Sequence, residues 1–303
     1  MNTIPRISGK DIQAATLSAK HVVEIHEALT DFLTAGLTLP EIDSFVGEKL
    51  RSLKCKSAFY KYKIPGQSPF PSQSCLSVND CVVHGTHTMA QAPLAAGDLV
   101  SIDIGVTHHG WIGDAAWTWG IENVTEENMK LMEAGRASLS AGVAAMQPNR
   151  PLMDFAKAVQ GVAEGDFGFH LIRGLGGHGY GKTLHAPPFV SNVVPAHPSE
   201  WPDAWCNFEE GMLIAVEPML AVGTGQIENE RGAWPIYAAD HSMSVHYEAD
   251  VLIGTENEMA KMEVQRDAAI CENAYFCKCF INFHYYEISN ATRRFVESQR
   301  VSV

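Results

Sequence analysis

The chain has 303 residues, 46% of them apolar, and a formal net charge of -13, which fits one large domain or two ordinary ones and argues against non-specific binding to nucleic acid or an anionic membrane. No run of about 20 apolar residues is present, which excludes a membrane-spanning helix, and Met1 to Lys20 lacks the apolar core of an export signal. Seven cysteines without framework spacing then read as free thiols in a reducing compartment, and the expected location is the cytoplasm.

Residues 9–35 are expected to form an amphipathic helix. Ile12, Ala15, Leu17, Val22, Ile25, Leu29, Phe32 and Leu33 recur at three- and four-residue steps, and Gly36 is placed to cap its end. Thr38-Leu39-Pro40-Glu41 is a capping box that opens a second helix to about Leu53. Residues 54–73 interleave Lys54, Lys56, Lys61 and Lys63 with Phe59, Tyr60, Tyr62 and Phe70. Pro65, Gly66, Pro69 and Pro71 break any regular element there, so the segment reads as a loop. This basic-aromatic patch is too small, in so acidic a chain, to argue for nucleic acid. Ser74 to His84 reads as a short strand or strand pair.

Val100, Ile102, Ile104 and Val106 alternate with Ser101, Asp103 and Gly105, a period-2 strand. A turn follows at Thr107-His108-His109-Gly110, and a return strand runs from Trp111 to Trp119. A turn centred between His108 and His109 would set Asp103 directly opposite Asp114, with Cβ atoms about 4.5–5.5 Å apart. Two carboxylates that close repel each other unless a proton or a cation lies between them. The bland alternative is a pair of solvated hairpin aspartates.

Thr125 caps a helix to about Ala145, and Pro151-Leu152-Met153-Asp154 opens another to about Glu164. The glycines from Gly174 to Gly181 exclude a helix. Leu213, Ala215 and Glu217 define a strand interrupted by Pro218. Ser244, His246, Glu248 and Asp250 alternate along a further strand. Two helices and a hairpin are thus followed by another helix pair and more strands, a pattern compatible with a duplicated α+β unit. No linker divides the chain, so residues 1–264 are expected to be one domain. Residues 265–303, with Cys271, Cys277 and Cys279 at no zinc-type spacing, are a C-terminal extension of unknown role.

Asp103, Asp114, His178, Glu217 and Glu248 all have apolar or glycine neighbours, which implies partial burial. Taken singly, each has an ordinary reading: Glu217 ends a strand, and His178 sits in a glycine turn. Together they form an oxygen-rich set with one imidazole, suited to divalent first-row metals. Four carboxylates balance two divalent cations. Two such ions about 3.5–4 Å apart can activate one water and clamp a reacting carbonyl.

Ser77-Val78-Asn79-Asp80-Cys81-Val82-Val83-His84-Gly85 resembles the SxNxxxxHG signature of the methionine aminopeptidases. The Asp-Ile-Gly…Gly-Asp hairpin, Gly177-His178-Gly179-Tyr180-Gly181, His185, Gly211 to Pro218 and Tyr247-Glu248 follow in that family's order, over about residues 8–262. The resemblance implies the α+β pita-bread fold, with pseudo-twofold halves and a curved antiparallel sheet flanked by helices. It implies two divalent cations (cobalt, manganese, iron or zinc) on Asp103, Asp114, His178, Glu217 and Glu248, with Asp114 and Glu248 bridging. His84 and His185 match the histidines that bind the scissile peptide, and Glu217 also matches the proton shuttle. Cys75 and Trp234 match positions lining the methionine pocket, although a buried thiol is the ordinary reading of Cys75 alone.

The chain departs from the family at Ala186-Pro187, Ala249 and Ile112, and residues 60–73 form a longer loop than usual. The implied activity is removal of the initiator methionine from nascent polypeptides when the second residue is small. The implied enzyme is a bacterial-like type I form working as a monomer near the ribosome, without direct nucleic-acid binding. A proline-specific aminopeptidase or prolidase on the same fold is the alternative, and a catalytically inactive binding relative ranks below it.

Overall fold

A computed structural model describes residues 6–254. Helix α1 (Lys10–Phe32) ends three residues before its expected limit, because Leu33 turns extended. Gly36, at φ +92°, shapes the connecting turn instead of capping the helix, and its N–H donates to Leu94 O at 2.7 Å. Helix α2 (Leu39–Ser52) starts at the expected capping box: Glu41 N–H donates to the Thr38 hydroxyl, and Thr38 N–H donates to Glu41 Oε2 at 2.8 Å. Strand β1 (Lys56–Ser57) interrupts the expected loop only briefly, and β2 (Cys75–Val78) and β3 (Cys81–Val83) follow it.

The hairpin of β4 (Leu99–His108) and β5 (Trp111–Gly120) corrects the expected register. Asp114 lies opposite Gly105, and Asp103 lies opposite Ala116. The turn centres on His109 and Gly110, both left-handed at φ +48° and +82°. That is the backbone a two-residue primed turn requires, and glycine supplies it at its second central position. The shift is two residues, so both aspartates keep the same face and become diagonal neighbours.

Thr125 caps α3 (Glu126–Ala145), and α4 (Met153–Gln160) continues through a wider turn at Gly161–Asp166. Short strands β6 (His170–Leu171), β7 (Gly176–Gly179) and β8 (Ala186–Ser191) follow, then a single 3-10 turn at Pro202–Trp205. Pro218 separates β9 (Leu213–Val216) from β10 (Met219–Ala221), ahead of β11 (Ile227–Glu228) and β12 (Ile236–Ala238). The strand expected through Ser244–Asp250 is two, β13 (Ser244–His246) and β14 (Ala249–Leu252). The break occurs because Tyr247 N–H donates to Pro218 O and Glu248 N–H donates to Ala116 O.

Among the described residues all strand pairs are antiparallel, in four sheets. The two four-stranded sheets carry the repeat. In the first half β4 pairs with β1, β2 and β5, and α1 and α2 bury Val22, Ile25, Leu29, Ile42 and Val46 against Val100, Ile102 and Ile104. In the second half β14, β9, β7 and β8 are neighbours, and Leu131, Leu139, Val143, Phe155 and Val159 of α3 and α4 pack on Ile214, Val216 and Val251. Each fully buried aliphatic side chain contributes about 1.5–3 kcal/mol. The halves are joined where Asp114 N–H donates to Asp250 Oδ2 at 2.7 Å and Glu248 N–H reaches Ala116 O at 2.9 Å. The expected extension, residues 265–303, lies outside the described residues.

Candidate metal centre

The join between the halves is where the polar side chains converge. Asp114 comes from β5, His178 from β7 and Glu248 from the β13–β14 break, and one donor atom from each lies within 4.8 Å of the others. Gly177 and Gly179 let β7 carry His178 this close to its neighbours, since a Cβ there would lie 2.3 Å from Ala215 O or 2.1 Å from Pro187 O. His178 Nδ1 sits 3.1 Å from Gly179 O, which leaves Nε2 facing Glu217 Oε1 at 3.8 Å. Glu217 follows β9, where Asn192 Nδ2 donates to its carbonyl at 3.0 Å. Asp103, diagonal to Asp114, lies against it and against Glu217. The five expected ligand positions therefore share one site.

The electrostatics of the site are those of too much negative charge in too little water. Burial pushes the Asp103 carboxyl up to about 7 and that of Glu217 up to about 8. Burial first, and neighbouring carboxylates second, push Asp114 and Glu248 well above the carboxylate range. Burial lowers His178 to about 4, so its imidazole is neutral and free to ligate. One oxygen each of Asp103 and Asp114 is buried without a hydrogen-bond partner. Buried acceptors left over in an oxygen-rich donor set fit a divalent cation.

His84, at φ +59°, meets Trp234 edge to face at 6.2 Å. Burial, then His246 and His185, lower its imidazole to about 4. His185 sits at the exposed rim, 4.4 Å ring to ring from His178, and its Nδ1 shares a 2.8 Å hydrogen bond with the Tyr62 hydroxyl. Cys75 is 4% exposed, pairs with Asp103 across the β2–β4 ladder, and belongs to an apolar cluster with Phe59, Phe70, Tyr62 and Trp234. The loop of residues 60–73 thus supplies one wall of the site. Trp234 Nε1 donates to Ser68 O at 2.9 Å and ties that wall down.

Two side chains were not singled out from the sequence. His246 is buried with Nε2 unpartnered, 3.6 Å from Glu217 Oε2, and burial lowers its imidazole to about 4. Asp250 accepts from Asp114 N–H, keeps Oδ1 unpartnered and borders Tyr180. Their signal was the alternation of Ser244, His246, Glu248 and Asp250, which aligns both with Glu248.

A helix pair on an antiparallel sheet is repeated about a buried carboxylate–imidazole cluster whose donor set suits divalent cations. Residues 13–255 match metallopeptidase family M24, and the chain belongs to that family. It is 33% identical over 255 residues to methionine aminopeptidase 1 of Mycobacterium tuberculosis, covering 82% of this chain and 91% of that one. Its fold is similar to the crystal structure of methionine aminopeptidase from Thermotoga maritima, with a TM-score of 0.75 at 27% identity, over 83% of this chain and 96% of that one. The prolidase from Pyrococcus furiosus shares the fold at a TM-score of 0.62 and 18% identity, but there 82% of this chain meets only 62% of that one. The expected pita-bread architecture is the one observed, and the prolidase alternative is the less supported of the two.

Proposed function

We propose that this metallopeptidase is a type I methionine aminopeptidase of the cytoplasm. It removes the initiator methionine from nascent polypeptides when the second residue is small. The observation that carries the reading is the convergence of Asp114, His178 and Glu248 donor atoms within 4.8 Å, drawn from both halves of the fold. Asp103, Asp114, His178, Glu217 and Glu248 would hold two divalent cations (cobalt, manganese, iron or zinc). Such ions supply Lewis acidity and a water nucleophile at neutral pH.

The chain's own residues do the rest. Asp103 fixes the substrate amine side of the site. Glu217 takes the proton of the attacking water and returns it to the leaving amine. His84 and the Tyr62-held His185 flank the scissile peptide, where their ring N–H groups stabilise charge growing on the carbonyl oxygen. Cys75, Phe59, Phe70, Tyr62 and Trp234 offer an apolar, polarisable surface to a thioether. The enzyme works as a monomer close to the ribosome without gripping nucleic acid, and residues 265–303 form an extension to a single catalytic domain.

Chelated enzyme reloaded with each metal is assayed on Met-Ala-Ser and on an Xaa-Pro peptide. The expected result is metal-dependent release of methionine from the first. Preference for the second, or hydrolysis undiminished after complete chelation, overturns the proposal.

A further inference from the structure

A second cluster of metal-type donors lies at the turn end of the β4–β5 hairpin, away from the carboxylates. One ligand atom from each of His21, Cys55 and His108 lies within 4.8 Å of the others. Three elements bring them there. Ser18 on α1 donates its hydroxyl to Trp111 O at 3.1 Å, which anchors the helix across the hairpin, and His21 follows one turn later. Strand β1 pairs with β4 at Lys56↔Thr107, so the preceding Cys55 falls beside His108. The thiol Sγ is 3.3 Å from His108 Nδ1, and the rings of His21 and His108 meet edge to face at 4.8 Å.

We propose that His21, Cys55 and His108 form a binding site for one borderline-soft divalent cation of the zinc class. A tetrahedral ion with one sulfur and two nitrogen ligands separates its donors by about 3.3–3.6 Å. The Cys55–His108 pair already has that spacing, and the His21 ring closes the rest by a small side-chain rotation. Glu24 Oε2 lies 3.2 Å from His21 Nδ1. That carboxylate orients the ring, an arrangement that supports metal-ligating histidines. Water completes the fourth position.

The donor set selects against magnesium and calcium, which take oxygen. Burial, helped by His109 and His21, lowers the His108 imidazole and keeps it neutral. Burial and Glu24 push the Cys55 thiol up to about 11. It therefore gives up its proton to solvent only as the sulfur–metal bond forms, and binding releases that proton. The ion ties α1, the start of β1 and the hairpin turn together. This site does not depend on the reading of the carboxylate centre.

The test is cobalt(II) titration of the chelator-treated full-length chain, following bound metal by mass spectrometry and the near-ultraviolet sulfur-to-cobalt charge-transfer band. Cys55→Ser is expected to bind one ion fewer than wild type and to lose the band. His21→Ala and His108→Ala are expected to weaken that ion at least about tenfold. If Cys55→Ser does not fold by circular dichroism, His21→Ala decides, because its ring is only partly buried. Unchanged affinity in His21→Ala overturns the site. So does a band that survives in Cys55→Ser and disappears in Cys75→Ser, since the thiolate would then belong to the carboxylate centre.

Discussion

Among the described residues no lysine or arginine is buried, yet Asp114, Glu248 and Asp250 are each at most 5% exposed. An ionised carboxylate without a partner at such depth costs several kcal/mol. A divalent cation is the charge that would compensate such a cluster. Glu217→Gln and Asp103→Asn are nearly isosteric and remove one ligand charge each. Both are expected to lower turnover by at least about a hundredfold with the circular dichroism spectrum unchanged. Wild-type turnover from either would contradict their place in the reaction. His84→Ala differs in kind, because His84 faces other imidazoles and Trp234 rather than the carboxylate floor. It is expected to lower kcat about 10- to 1000-fold while metal stoichiometry stays at the wild-type value. Loss of metal in that variant would make His84 a ligand.

The hairpin that presents Asp103 and Asp114 is fixed by its turn. Gly110 sits at φ +82°, and a Cβ there would meet nothing within 4 Å. Gly110→Ala therefore isolates the backbone cost of a left-handed residue from any clash. It is expected to cost about 1 kcal/mol, read as a lower urea midpoint at unchanged slope. An unchanged midpoint would mean that the turn does not constrain the register. The same turn explains what was and was not legible in the sequence. Helices α2 and α3 are legible because Thr38 and Thr125 cap them locally, and the convergence of Asp114, His178 and Glu248 because each sits in a short motif of glycine or apolar neighbours. The hairpin register differs from the expected one by two residues, since it depends on which residues turn left-handed rather than on alternation. The division of Ser244–Asp250 into two strands was not readable at all. It follows from bonds to Pro218 and Ala116, which are distant in the chain. His246 and Asp250 share the alternation that carries Glu248, and that pattern is their signal in the sequence.

For the whole molecule, the carboxylate cluster makes the stability of the metal-free chain depend on pH in a direction that can be worked out. Glu217 and Asp103 have folded values near 8 and 7 against ordinary values of 4.5 and 3.8. Between those limits the folded chain holds protons that the unfolded chain has released, so stability falls as pH rises. His26, His84, His178 and His246 act oppositely: burial lowers each from 6.5 to about 4, so the folded chain binds fewer protons there and stability rises with pH. The two effects overlap below pH 6.5. Above it those four histidines are neutral in both states and the buried carboxyls dominate, with exposed His241, raised by its hydrogen bond to Asp80, acting in the same direction. Chelated protein is therefore expected to lose stability between about pH 6.5 and about pH 8, with Glu217 alone accounting for roughly 1.5 kcal/mol, or about 3–6 °C in Tm. Glu217→Gln removes that share and flattens the slope. Divalent metal abolishes or reverses it, because a cation favours the ionised carboxylates and binds more tightly as they deprotonate. Scanning calorimetry with and without metal across this range checks both arms. A metal-free profile that is flat above pH 6.5 would mean the cluster is already ionised and paired, which would remove the electrostatic reason for placing cations there.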